Sequence, residues 1–226
     1  MKNEVSYISQ KIDLIKQQIP QNVRLVAITK QVSIEAMREA YAMGIRDFGE
    51  NRLQEALSKQ EQLQDLQEID WHFIGHIQKN KAKKIIENFT WIHSVDSLSL
   101  AQRLNRLAAE SNRTPKVFLQ VKVLPDPNKY GWEVTNLLQD LPQLDRYQNL
   151  NFQGLMTILP LGLSSTEVLE AFQKTQQLAT AIAQKEYANL TINELSMGMS
   201  GDYLMAIEAG ATMIRLGRIL FGERNS

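Results

Sequence analysis

Residues 24–36 read RLVAITKQVSIEA, and the fold turns on how that stretch divides. Arg24 to Thr29 is short, rich in β-branched residues and apolar on both faces, the pattern of a strand buried on two sides in a parallel sheet. From Ser33, SIEAMREAYAMG has helical spacing and stops at Gly44, so a strand and a helix follow one another within about 20 residues. Outward from this unit the alternation repeats. Strand-like segments occur at IRDFGE (45–50), WHFIG (71–75), WIHSVDS (91–97), KVFLQVKV (116–123), NFQGLMTI (151–158), INELSMG (192–198) and TMIRLG (212–217). Helical stretches separate them: one beginning near Arg52, the basic KNKAKKIIEN, SLAQRLNRLAAESN, a helix around Val134 to Leu138, a long helix opened by Ser164 with Glu167 in capping-box spacing, and GDYLMAIEAG. Upstream, Val5, Ile8, Ile12, Ile15 and Ile19 share one helical face, which Pro20 ends.

Eight strands in strict β/α alternation predict an α/β fold with a parallel sheet, closed as a (β/α)8 barrel; an open doubly wound sheet is the structural alternative. With no long linker or low-complexity segment, residues 1–226 read as a single barrel domain with an extra N-terminal helix at about 2–19. Composition agrees with an ordinary globular chain, 43% hydrophobic and 22% charged. Lys+Arg and Asp+Glu are both 25, so no whole-chain field draws nucleic acid or an anionic membrane. The absence of cysteine excludes disulfides, thiolate nucleophiles and Cys-ligated zinc. A polar N-terminus and the lack of any membrane-length apolar run lead to a cytoplasmic reading.

Barrel chemistry collects at the carboxyl ends of strands. Those ends carry Lys30, Glu50 and Asn51, Gly75 and His76, Asp96, Met156 and Thr157, Ser196 to Ser200, and Arg215 to Arg218. An apolar strand delivers Lys30 to the mouth, where partial desolvation favours the neutral amine and hence attack on an aldehyde. The plainer alternative is a solvated lysine closing a strand, and this segment alone does not decide between them. SMGMSGD and RLGR are glycine-containing turns, the first leading into a helix, and their backbone N–H groups suit a phosphate. Ser200 reads equally as an N-cap. Arg215 reads as a donor to phosphate or to a ring nitrogen, or as half of a structural ion pair. Because the first and last strands of a closed barrel are neighbours, the amine and the phosphate cup share one mouth, an arrangement that suits pyridoxal 5'-phosphate. The remaining candidates read as structural. His72 and His76 lack the context of a metal site, His93 reads as a core residue, Lys79 to Lys84 as a solvated helix face, and Met197, Met199 and Met205 as core filler.

VAITK around Lys30, FGENRLQE from Phe48, WHFIGHIQKNK from Trp71, SVDS from Ser94, GLMTILP from Gly154 and LSMGMSGDYLMAIEAGATMIRLGRILFG from Leu195 resemble the pyridoxal phosphate homeostasis protein family, in order from Lys30 to Gly222. The resemblance implies a fold type III barrel similar to the N-terminal domain of alanine racemase, with the cofactor carried as an aldimine on Lys30. It implies a ring contact from Asn51 and phosphate contacts from Ser196, Gly198, Met199 and Ser200 and from Arg215, Gly217 and Arg218; Met156 completes the expected cofactor set. One departure is visible in KVLPDPNKYG, where Lys122 replaces an expected asparagine while Lys129 and Gly131 fit, leaving Lys122 as a rival amine.

The implied function is homeostasis of pyridoxal phosphate and of amino and keto acids, without catalytic turnover. PLP-dependent apoenzymes are the candidate recipients, nucleic acid and membrane are not partners, and a monomer is expected. The alternative is a racemase-like enzyme with Lys30 as one base and Tyr130 or His76 as the other. Alanine racemase serves one face with a tyrosine from an additional domain of the partner subunit. This chain ends soon after its eighth strand, so the expectation is a cofactor open on one side. A third reading is a regulatory protein whose partner senses the bound cofactor.

Overall fold

In the computed structural model, which describes residues 6–222, nine strands and nine helices follow one another along the chain, alternating except where β6 directly follows β5. The helix expected at about 2–19 is present as α1 (Tyr7–Gln18), capped by Ser6, with Ile12 and Ile15 buried; the Val5 end of that expectation lies outside the described residues. The barrel strands are β1 (Arg24–Ile28), β2 (Asp47–Glu50), β3 (Asp70–Phe73), β4 (Trp91–Val95), β5 (Lys116–Lys122), β7 (Asn151–Met156), β8 (Glu194–Ser196) and β9 (Met213–Leu216). Every pairing is parallel and the ring closes through β1 to β9 and β4 to β5, so the barrel is observed rather than the open sheet. β6 (Trp132–Glu133) is a two-residue strand paired with the last two residues of β5 that the alternation did not reveal.

Between the strands lie α2 (Ile34–Ala42), α3 (Leu53–Gln62), α4 (Ala82–Asn88), α5 (Leu98–Glu110), α6 (Val134–Leu144), α7 (Ser165–Ala183) and α8 (Tyr203–Glu208), with α9 (Arg218–Phe221) after the last strand. Gly44 ends α2 at φ +83°, a backbone region that costs glycine little. At the start of α7, Ser164 and Glu167 make both bonds of the capping box. Two expected boundaries move. α6 runs to Leu144 with Pro142 inside, well past Leu138, and α4 starts only at Ala82, so Lys79 and Lys81 precede it.

Strand alternation sorts the core into two populations. Leu25 and Ala27 of β1 and Ile214 and Leu216 of β9 belong to the large cluster that includes the buried residues of the helices. Val26, Ile28, Trp91, Phe118, Met156 and Met213 form a second, smaller cluster, the barrel interior. The same interior parity in β3, β4, β8 and β9 is occupied by His72, His93, Ser196 and Arg215, all buried. Four polar side chains inside a barrel require one another as partners, because a buried polar group without a hydrogen bond costs about 1–3 kcal/mol.

Candidate functional site

Lys30 lies two residues past the end of β1 and continues the inward parity of Val26 and Ile28, which carries it from the barrel interior to the mouth in a half-buried position. The chain on either side of it is clamped by α3. Lys59 Nζ, buried, donates to the Thr29 carbonyl at 2.5 Å, to Glu50 Oε1 at 2.8 Å and to Glu55 Oε1 at 2.6 Å. Gln31, held at φ 60°, donates its backbone N–H to the same Glu55 oxygen, and Thr29 Oγ1 donates to Glu50 Oε1 at 2.7 Å. Burial pushes the Glu50 carboxyl above its usual range, a shift that the bonds from Lys59 and Thr29 oppose without cancelling.

A cavity of about 560 Å3 opens at the carboxyl ends of β1, β2, β3, β7, β8 and β9. Lys30, Asn51, Met156, Met199, Ser200, Arg215, Gly217 and Arg218 all line it. Its apolar wall comes from Ile28, Ile74, Ile158 and Leu161. The two glycine turns meet at one side: Gly217 N–H points to Ser200 Oγ at 3.4 Å, and Arg215 N–H donates to the Gly198 carbonyl at 3.0 Å. Asn51 closes against the β3 loop so tightly that a Cβ on Gly75 would stand 2.2 Å from the Asn51 carbonyl oxygen. Asn51 Oδ1 is buried and makes no hydrogen bond among the described residues.

Arg215 is 3% exposed. Its Nη1 donates to Ser196 Oγ at 2.8 Å and its Nη2 to the Thr157 carbonyl at 2.9 Å. Both acceptors are neutral, and burial lowers its pKa to about 10. A guanidinium in a cavity wall, held by neutral oxygens, has further N–H groups for an anionic or aromatic-nitrogen acceptor.

A family model described as the alanine racemase N-terminal domain matches residues 4–225. A pyridoxal phosphate homeostasis protein of Synechocystis sp. is 57% identical over 206 residues, covering 91% of this chain and 94% of its own length. The chain belongs to the pyridoxal phosphate homeostasis protein family. Its Escherichia coli K12 relative of the same name is 34% identical over 208 residues, covering 91% of this chain and 88% of its own. The solved structure of PipY from Synechococcus elongatus PCC7942 with PLP bound superposes with a TM-score of 0.91 at 47% identity, over 95% of this chain and all of that one. An alanine racemase of Clostridium difficile aligns with a TM-score of 0.73 at 15% identity over 97% of this chain and 57% of its own, a likeness of fold alone.

Of the residues expected from this family's pattern, eight share the cavity wall and two do not. Ser196 is fully buried in the barrel interior, bonded to Arg215 and to His93 Nδ1 at 2.8 Å, so it stands behind the guanidinium instead of at the wall. Gly198, at φ +91°, turns the chain where a Cβ would meet the Ala206 Cβ at 2.6 Å; its place is explained by backbone geometry and packing. The N-cap of α8 is Asp202, not Ser200, and Asp202 Oδ1 accepts from Met199 N–H at 2.6 Å. No ion pair involves Arg215 among the described residues, which removes that alternative.

Lys122, the rival amine, does not line the cavity, and its Nζ pairs with Glu133 Oε1 at 2.7 Å. His72 lies inside the barrel, whereas His76 lies at the mouth, stacked on Tyr130 at 3.7 Å and 3.3 Å from Asp96. The two histidines therefore do not converge, and among the described residues no group of three His, Asp or Glu side chains could hold a metal ion. Sequence reasoning missed the Lys59–Glu50–Glu55 clamp. Glu55 and Lys59 are spaced i, i+4 on a polar helix, the ordinary signature of a solvated surface pair.

Proposed function

We propose that the chain works as one barrel domain that binds pyridoxal 5'-phosphate through Lys30 and serves in homeostasis of this cofactor and of amino and keto acids, without catalytic turnover. The observation that carries the reading is a single cavity with Lys30, Asn51, Ser200, Arg215 and Gly217 on its wall. When bound, the cofactor supplies an aldehyde that condenses with a primary amine. Lys30 offers that amine from a backbone held on both sides by Lys59 and Glu55. Arg215 would donate to an acceptor on the ring or phosphate, Ser200, Gly217 and Arg218 would hold the anionic group, and Asn51 Oδ1, buried and without a hydrogen bond among the described residues, would accept from a hydroxyl. A PLP-bound relative of nearly the same backbone and the names of the curated relatives support this reading.

Absence of turnover is supported by the placement of the acid/base candidates. A racemase needs a proton-transfer group on each face of the substrate carbon. Tyr130 and His76 are engaged with each other and neither lines the cavity. Supply to PLP-dependent apoenzymes from a monomeric cytoplasmic protein completes the proposal. Among the described residues no helix is long and apolar enough to cross a membrane. The test is to load the protein with pyridoxal phosphate, reduce with borohydride and map the labelled peptide, beside Lys30→Ala and an assay for D-amino acids. Label on Lys30 and no D-isomer are expected; label on Lys122 or Lys129, or D-isomer formation abolished by Lys30→Ala, would overturn the reading.

A further inference from the structure

Behind the cavity wall, Arg215 heads one uninterrupted line of polar groups, the rest of which the proposed function does not use. Arg215 Nη1 meets Ser196 Oγ at 2.8 Å, Ser196 Oγ meets His93 Nδ1 at 2.8 Å, His93 Nε2 meets His72 Nδ1 at 2.9 Å, and His72 Nε2 meets Asp47 Oδ1 at 2.9 Å. It starts at the cofactor cavity and ends at the first residue of β2, where Asp47 and Arg24 line a groove of about 460 Å3 at the amino ends of the strands. The line therefore crosses the barrel from one end to the other. Trp91 stacks on His72 at 5.4 Å and 7°, and Phe118 lies 4.7 Å from His93, so apolar rings flank the imidazoles.

The two ends set the direction of every proton between them. Arginine can only donate, so Ser196 accepts from it and sends its own hydrogen to His93 Nδ1. His93 must then carry its proton on Nε2 and donate to His72 Nδ1, and His72 must donate from Nε2 to the Asp47 carboxylate. With both rings neutral this arrangement satisfies each group, and it is assigned from the network of partners. Burial lowers the pKa of both imidazoles, for His93 well below the usual range. The charged groups acting on the pair are Asp47, Asp70 and Arg24 at one end and Arg215, itself influenced by Asp202, at the other. A proton added to His72 would make His93 change tautomer and leave Ser196 accepting from both sides, its own hydrogen without an acceptor.

We infer that His93, His72 and Asp47 are positioning residues for the cofactor-facing guanidinium of Arg215, linked to it through Ser196 as a one-way hydrogen-bond chain. The inference rests on the reading that this cavity holds pyridoxal phosphate. Protein loaded with pyridoxal phosphate is compared as wild type, Asp47→Ala, Asp47→Asn and His93→Gln. Borohydride mapping reports whether the cofactor is on Lys30, while equilibrium dialysis and a pH titration of the visible band report the chain. Asp47→Ala and His93→Gln are expected to keep the label on Lys30, to raise the cofactor Kd about 3- to 10-fold and to move the midpoint of the band by about half a pH unit. Asp47→Asn, whose amide oxygen still accepts from His72, is expected within about twofold of wild type. Asp47 sits at a strand end and keeps the test alive if His93→Gln does not fold. Wild-type Kd and midpoint in Asp47→Ala, or equal displacement in Asp47→Ala and Asp47→Asn, would overturn the chain while leaving the cofactor site standing. Wild-type label away from Lys30 would instead overturn the underlying site.

Discussion

Lys59→Met tests whether the clamp beneath Lys30 is as consequential as its geometry implies. The substitution keeps much of the side-chain volume and removes one charge from a position with 8% side-chain exposure. Glu50, fully buried and with Oε2 already unpartnered, would lose its only cation within 4 Å among the described residues, and the Thr29 carbonyl would lose a donor. Removing one member of a buried ion pair costs about 3–5 kcal/mol because the remaining charge is stranded. For a chain of this length that corresponds to a melting temperature lower by roughly 6–20 °C.

The sign of the pH dependence follows. A carboxyl whose folded pKa is raised binds more protons folded than unfolded, so its contribution is most favourable at low pH and is lost as pH rises from the unfolded value through the folded one. Burial already raises Glu50, and removal of Lys59 raises it further, so Lys59→Met should recover part of its lost stability as the pH falls toward the carboxylate range. Thermal melts by circular dichroism at two pH values, with urea titration for the free energy, measure both effects. Adding Glu50→Leu should restore most of the loss, since a buried pair exchanged for apolar residues is often neutral. A loss under about 1 kcal/mol, or a double variant no more stable than Lys59→Met, would refute the reasoning.

Arg215→Gln removes a charge-assisted donor from the cavity wall and should weaken cofactor binding by about 1.5–3 kcal/mol, roughly 10- to 150-fold, read by dialysis; an unchanged Kd would make Arg215 purely structural. Gly75→Ala places a Cβ 2.2 Å from a backbone oxygen of Asn51, so it should lower the melting temperature and cofactor affinity together, and a variant that melts and binds like wild type would show that this loop yields freely. Ser164→Ala removes the capping box at a residue that does not itself line the cavity, so it should cost about 1 kcal/mol in a urea titration and leave cofactor binding unchanged.

The barrel was legible because its signals are local. RLVAI at Arg24 to Ile28, the glycine stop at Gly44 and the Ser164–Glu167 box each report on a few neighbouring residues, and strict alternation converts them into topology. β6 was not legible: two residues carry no periodicity, and Trp132 and Glu133 form a strand only because Val121 and Lys122 lie beside them. The cavity wall was largely legible because barrel geometry assigns a place to any polar residue at a strand's carboxyl end. Ser196 shows the limit. It is the last residue of β8, yet its inward parity turns it to the interior, where Arg215 and His93 hold it.

The clamp and the buried histidine line were invisible for a common reason. Each joins residues whose separation in sequence is unrelated to their separation in space, from four residues for Glu55 and Lys59 to 103 for His93 and Ser196. In isolation, His72 and His93 look like two core residues and Asp47 like a strand end. Inside the barrel they become obligatory partners, because an interior walled by Trp91, Phe118, Met156 and Met213 offers a buried imidazole few other acceptors. The same inward parity that lifts Lys30 to the mouth therefore sends polar groups below it into an apolar cylinder. His72, His93 and Ser196 reside there as a chain closed by a guanidinium at the cavity and a carboxylate at the opposite end, so the requirements of burial and of the site are met by the same residues.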